Sequence, residues 1–144
     1  MKMIKMKYKL LGKYIKKNNF AISNSKVFFD LAKNISKYKI NFDIQSKQIK
    51  DSVIEIDTTL SLKAIDNDFD EIETEIVYSA IAELSGDMND KKELEKIILV
   101  KIPKEIYPEI RNLFISMFSA CGFKDIKIDK TVDFQKLHQK SKIN

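Results

Sequence analysis

The sequence predicts an α+β fold, with a four-stranded antiparallel sheet, a crossover segment, a kinked helix and a short C-terminal helix. Three observations carry this. Apolar and polar residues alternate with period two through segments between residues 40 and 84. The period lengthens to helical spacing beyond Asp90. Three Gly and two Pro in 144 residues leave little room for linkers, so 1–144 reads as one domain with 1–7 and 141–144 as frayed tails.

Along residues 8–20, Tyr8, Leu10, Tyr14 and Phe20 share a parity with Lys9, Lys13 and Lys17 opposite, the weakest of the strand patterns. Residues 23–37 hold Val27, Phe28, Phe29, Leu31 and Ile35, too apolar for a solvated loop. They form a crossover that packs on the rest, with a helical turn. Ile40, Phe42 and Ile44 alternate with Asn41 and Asp43 in the second strand. The clearest signal spans residues 53–65, where Ile54, Ile56, Thr58, Leu60, Leu62 and Ala64 alternate with Glu55, Asp57, Thr59, Ser61 and Lys63. Asp66-Asn67-Asp68 reads as a turn. Across residues 71–84, Ile72, Thr74, Ile76, Tyr78, Ala80, Ala82 and Leu84 take one face and Glu71, Glu73 and Glu75 the other.

Leu94, Ile97, Ile98 and Ile102 then fall at helical spacing, continued by Ile106, Tyr107, Ile110, Leu113, Phe114, Met117 and Phe118 up to Gly122. Pro103 and Pro108 break or kink this run. Asp133 is placed to cap a short last helix carrying Phe134 and Leu137 on one face. A single sheet under a thin helical layer leaves apolar surface over, which predicts an oligomer.

The net charge of +5 is unevenly placed. Residues 1–50 carry thirteen Lys against Asp30 and Asp43, whereas residues 51–90 carry twelve acids against Lys63. Blocks of opposite sign sharing one sheet partly neutralise each other. Of 26 basic residues only Arg111 is Arg, although Arg supplies the fork that grips phosphate and guanine. A basic nucleic-acid-binding module is therefore a secondary reading, and no nucleic-acid partner is expected.

Catalytic chemistry has little to work with. The one histidine, His138, sits near the chain end and reads as an ordinary helix-surface residue. The one cysteine, Cys121, cannot close an internal disulfide, which fits a reducing cytoplasm, and reads as a small buried hydrophobe. One Cys and one His give no zinc motif, three Gly give no phosphate cradle, and the 66–71 acidic cluster lacks the Gly and terminal Glu of a calcium loop. Neither enzyme activity, cofactor nor metal is expected. Every short apolar stretch near the start is interrupted by Lys, so no membrane insertion is expected either. The fourteen aromatics, nine Phe and five Tyr, are more informative. Phe28 and Phe29 of the crossover, facing a helix that carries Tyr107 and Phe114, are candidates to line a groove for extended apolar peptide.

Pro103-Lys-Glu-Ile-Tyr-Pro108-Glu-Ile-Arg111, then Gly122-Phe123, then Val132-Asp133-Phe134-Gln-Lys-Leu137, resembles the SecB chaperone family. That family carries Pro-x-x-Leu-Phe-Pro-x-x-Arg, Gly-Phe-Pro and Asn/Asp-Phe-x-x-Leu in this order. Its opening Tyr-x-Lys-Asp-x-Ser-Phe-Glu is similar to the stretch from Tyr14 to Phe20. The resemblance implies a homotetramer, a dimer of dimers, that holds unfolded secretory precursors and passes them to the motor ATPase SecA. It implies a client groove at Phe28, Phe29, Tyr107, Phe114, Phe134 and Leu137. It also implies subunit association at Thr74, Ile76 and Tyr78, and an acidic motor-docking face at Glu73 and Glu75. Where the family has first-strand acids this chain has Lys17 and Ala21, and Lys124 replaces the Pro after Gly-Phe. The same fold also suits a chaperone that guards an antitoxin in a toxin-antitoxin system.

Overall fold

The computed structural model describes residues 5–35, 38–64, 72–123 and 128–143. Strand β1 runs Lys7–Ala21, helix α1 Ser25–Asn34, β2 Tyr38–Lys50, β3 Val53–Ala64 and β4 Glu73–Ser85. Helix α2 follows at Lys91–Lys96, passes through a π turn at Ile97–Lys101 into α3, Ile102–Ala120, and α4 closes the chain at Phe134–Ile143. The α+β class and the four antiparallel strands match the sequence expectation. The Asp66-Asn67-Asp68 turn, Glu71 and Lys124 lie outside the described residues.

The strand order β1-β4-β3-β2 puts β1 and β2, consecutive in the chain, on opposite edges. The chain between them must therefore cross one end of the sheet, which explains why residues 23–37 are apolar. The crossover is a full helix, because the Asn24 side chain accepts the Val27 N–H at 3.0 Å and caps its first turn. Val27 and Leu31 enter the core from it.

One face of the sheet is dry. Ile54, Ile56, Leu60, Leu62, Ile76, Ala80, Ala82 and Leu84 pack beneath Ile102, Ile106, Ile110, Phe114 and Phe118 of α3. The α2–α3 run is the long kinked helix that the sequence predicts, with a π turn taking up the irregularity. Ile102 N–H bonds back five residues to Ile97 O, and that wider turn absorbs Pro103, which sits in the first turn of α3 without a donor. Pro108 lies inside α3 on the exposed side, as does Lys104, so the carbonyl it leaves unpaired faces water.

Two parts of β1 differ from the sequence reading. Irregularities between Leu10 and Gly12 and between Ile15 and Lys17 each shift the register by one residue. A bulge reverses which side chains face which way, so parity cannot be carried across it. Tyr14 consequently reaches Glu55 on the outer face, whereas Lys13 reaches Glu109 of α3. Met6 is buried, and the Gly86 backbone, at φ +97°, approaches so closely that a Cβ there would stand 2.5 Å from Lys5 O.

Candidate functional site

Two apolar cavities open on the helix side of the sheet. The first, about 480 Å³, is lined by Phe20, Ile22, Asn24, Ser25, Phe28, Phe29 and Cys121. Asn24 starts α1 here, and the helix holds Phe29 outward with 66% of its surface exposed. Phe29 is not isolated. Its ring meets Phe28 at 5.5 Å, Phe28 meets Phe123 at 5.0 Å, and Phe123 meets Phe118 at 5.9 Å. Phe118 then touches Phe20 at 4.8 Å and Phe114 at 4.9 Å. A chain of edge-to-face and tilted ring contacts thus runs from solvent into the core, and each contact restrains the next.

The second cavity, about 430 Å³, lies between β2, α3 and α4, with the irregular segment 128–133 as one wall. Ile40, Phe42, Tyr107 and Leu137 give it an apolar interior, and Asp129, Asp133 and Lys136 stand at the polar rim. Phe42, Tyr107 and Phe134 form a triangle of rings with centroids 5.5 to 6.0 Å apart. The Tyr107 hydroxyl donates to Asp129 O at 2.6 Å, and Arg111 Nε donates to Ile128 O at 3.0 Å. Burial pushes the Tyr107 hydroxyl above its ordinary pKa, so it remains a donor at any ordinary pH. Asp133 caps α4 by accepting Lys136 N–H at 3.0 Å, as its position in the sequence predicts.

The six groove candidates therefore divide. Phe28 and Phe29 line the first cavity; Tyr107 and Leu137 line the second, with Phe134 buried behind them. Phe114 lines neither in this protomer, being fully buried against Phe118. The sequence reading passes over Phe42 as a groove residue, although its place on the dry face of β2 put it on the side the helices cover. His138 is likewise no surface residue. Its side chain is 9% exposed, with Nε2 3.8 Å from Glu95 of α2. Cys121 is only partly buried, at the edge of the first cavity.

The opposite face of the sheet is polar but not open. Glu55, in the middle strand, is only 5% exposed, and it accepts from Tyr14 and lies 3.1 Å from Lys16 and 3.4 Å from Lys47. The Tyr14 hydrogen bond first, then Lys16, holds its carboxyl below the usual range. Lys16 also reaches Asp57 at 2.8 Å, and Ser79 donates to Asp57 at 2.6 Å. Glu75 pairs with Lys17 at 3.0 Å and is half-buried. Glu73 lies in β4, and nothing of its side chain is described. The acids of this face are thus largely matched by lysines from the two edge strands.

Thr74, Ile76 and Tyr78 point the other way, into the protomer's own core. Tyr78 donates its hydroxyl to Glu109 of α3, which Lys13 of β1 also grips at 2.5 Å. Burial, then Glu109, pushes the Tyr78 pKa up to about 12.

Among the described residues no group of three or more His, Cys, Asp or Glu is placed to hold a metal, and no helix is long and apolar enough to cross a membrane. Aromatic-lined cavities on a helix-capped sheet have the chemistry to take up apolar polypeptide, as a chaperone must. The chain belongs to the SecB family: the family model, described as preprotein translocase subunit SecB, matches residues 2–144. It is 34% identical over 132 residues to a putative protein-export protein SecB of Pelagibacter ubique, covering 92% of this chain and 94% of that relative. Its fold is similar to that of a Mycobacterium tuberculosis SecB-like chaperone solved with a ChAD peptide from an antitoxin, with a TM-score of 0.63. That likeness covers 87% of this chain and 88% of the other at 11% identity, and it concerns the fold. The protein is a chaperone of the SecB type.

Proposed function

We propose that the protein is an ATP-independent holdase of the cytoplasm that keeps unfolded secretory precursors competent for translocation, without chemistry of its own. The observation that carries this reading is Phe29, a large aromatic left 66% exposed yet held in place by partly buried Phe28 and the buried rings behind it. Leaving such a side chain in water forgoes about 1.5–3 kcal/mol of burial, which a client's apolar residue would recover. Leu137, 37% exposed at the second cavity, offers a second anchor. Affinity for a long unfolded chain then comes from engaging several such anchors at once.

The working form is a homotetramer, a dimer of dimers. Edge strand β1, with Ile15 45% exposed beside Leu113 and Asn112 of α3, is the surface that supports association. Thr74, Ile76 and Tyr78 act on it from behind, Tyr78 by fixing Glu109 at that border. A SecA-type motor ATPase is the proposed receiver, through Glu73 and Glu75. The Lys17 pair weakens that acidic surface, so the hand-off is expected to be less favourable than one using unpaired acids.

The test is suppression of aggregation of a denatured precursor. Wild type should suppress it near stoichiometric ratios, and Phe29→Ala should need roughly 5- to 30-fold more protein, the equivalent of losing one anchor of about 1–2 kcal/mol. Wild type that neither slows aggregation nor captures unfolded client would refute the reading.

A further inference from the structure

Of 26 basic residues in this chain, 25 are Lys, and the single exception is Arg111. Where Lys serves nearly every cationic position, a lone Arg marks a place where the geometry of the guanidinium matters rather than its charge. The structure shows such a place. Arg111 donates from Nε, the secondary N–H that Lys lacks, to the backbone carbonyl of Ile128 at 3.0 Å. One helical turn earlier on the same face of α3, Tyr107 donates to the next carbonyl, Asp129 O, at 2.6 Å. Two side chains four residues apart thus grip two consecutive carbonyls.

The segment they grip, residues 128–133, has no regular secondary structure and supplies one wall of the second cavity. Its backbone cannot be positioned by a ladder of its own, so its height above Phe42 and Tyr107 is set from outside. Three things set it: the two hydrogen bonds, burial of Ile128, and the Asp133 cap of α4.

We propose that Arg111 and Tyr107 are positioning residues that clamp the 128–133 segment and so set the width of the second cavity for an extended apolar peptide. The clamp rests on the holdase reading for its purpose but not for its geometry. The donor atom defines the test. In Arg the Nε is the fourth atom beyond Cα; in Gln the amide nitrogen occupies the same place, whereas in Lys the amino group lies one bond further out. A clamp predicts that Arg111→Gln, which loses the charge, works better than Arg111→Lys, which keeps it.

Amide hydrogen exchange of the full-length chain reads the clamp directly. Exchange across residues 128–133 should rise about tenfold or more in Arg111→Lys, Arg111→Ala and Tyr107→Phe, and by no more than about threefold in Arg111→Gln, with β3 and β4 unchanged. Binding of a fluorescein-labelled, uncharged Leu/Phe-rich peptide should weaken in the same order. Equal exchange in the Gln and Lys variants, or better protection with Lys, overturns the clamp. Normal peptide binding by variants whose segment has loosened overturns its role in the cavity. If wild type binds no peptide while the exchange pattern holds, the holdase reading fails and the clamp stands.

Discussion

The two faces of strand β3 are buried to nearly the same degree by opposite means. Ile56 and Leu60 are fully covered by the helices, while Glu55, next to Ile56 in sequence, is 5% exposed beneath Tyr14, Lys16 and Lys47. One face is sealed by apolar packing, the other by long polar side chains folding over from both sheet edges. The comparison shows why the two aromatic-lined cavities lie on the helix side, whereas the outer-face hollow of about 420 Å³ is lined by Lys16, Lys17, Asp43 and Asp57. On the helix side a gap in packing leaves hydrocarbon facing water, whereas a gap in the ion-paired cover simply fills with water.

The largest effect that tests this contrast is truncation in the ring chain. Phe118→Ala should cost about 3–5 kcal/mol in urea unfolding, because Phe20, Phe114 and Phe123 all lose a partner. Glu55→Ala, equally buried on the other face, should cost only on the order of 1 kcal/mol, since its lysine partners remain free to hydrate. If the two losses match, the faces do not differ in kind.

A smaller effect is pH dependence. Tyr14 first holds the Glu55 carboxyl below 4.5, and Lys13 first does so for Glu109. Groups that lose protons more readily when folded contribute stability that is complete above 4.5 and is lost as pH falls through their folded values. Tyr78, raised from 10.0 to about 12, contributes below pH 10 and loses that contribution between 10 and about 12. Thermal melts across pH should therefore show a plateau with an acid limb beginning near pH 5, and Glu55→Gln should shrink that limb. The smallest expected effect is that of Lys17→Ala. Stability should move by less than ~0.5 kcal/mol, because Lys17 is exposed and Glu75 half-exposed, while the freed Glu75 should strengthen binding to a SecA-type motor.

Much of this architecture is legible in the sequence because period two through β3 and β4 is uninterrupted, and because helical spacing from Leu94 to Phe118 is long. What is illegible has local causes. Two bulges in β1 reverse the parity on which Tyr14 and Lys13 are assigned. The π turn at Ile97–Lys101 is a property of backbone hydrogen bonding that no side-chain pattern announces. At the site, aromatic composition identifies the right residue class. It cannot separate Phe29, which helix α1 turns outward, from Phe114, one helical turn before Phe118 and covered by it. The ion-paired cover is hinted at by opposite charge blocks, but which lysine meets which acid depends on the strand order.

The central claim is that unfolded clients are held on the helix side of the sheet and not on its ion-paired face. Site-specific photo-crosslinking tests it most directly, with p-benzoylphenylalanine placed at position 29, 137 or 45. Positions 29 and 137 border the two cavities, and Gln45 is exposed on the outer face beside Asp57. Adducts with a denatured precursor are expected at 29 and 137, background at 45, and none with the same precursor once folded. Adducts at 45 equal to those at 29 would contradict it.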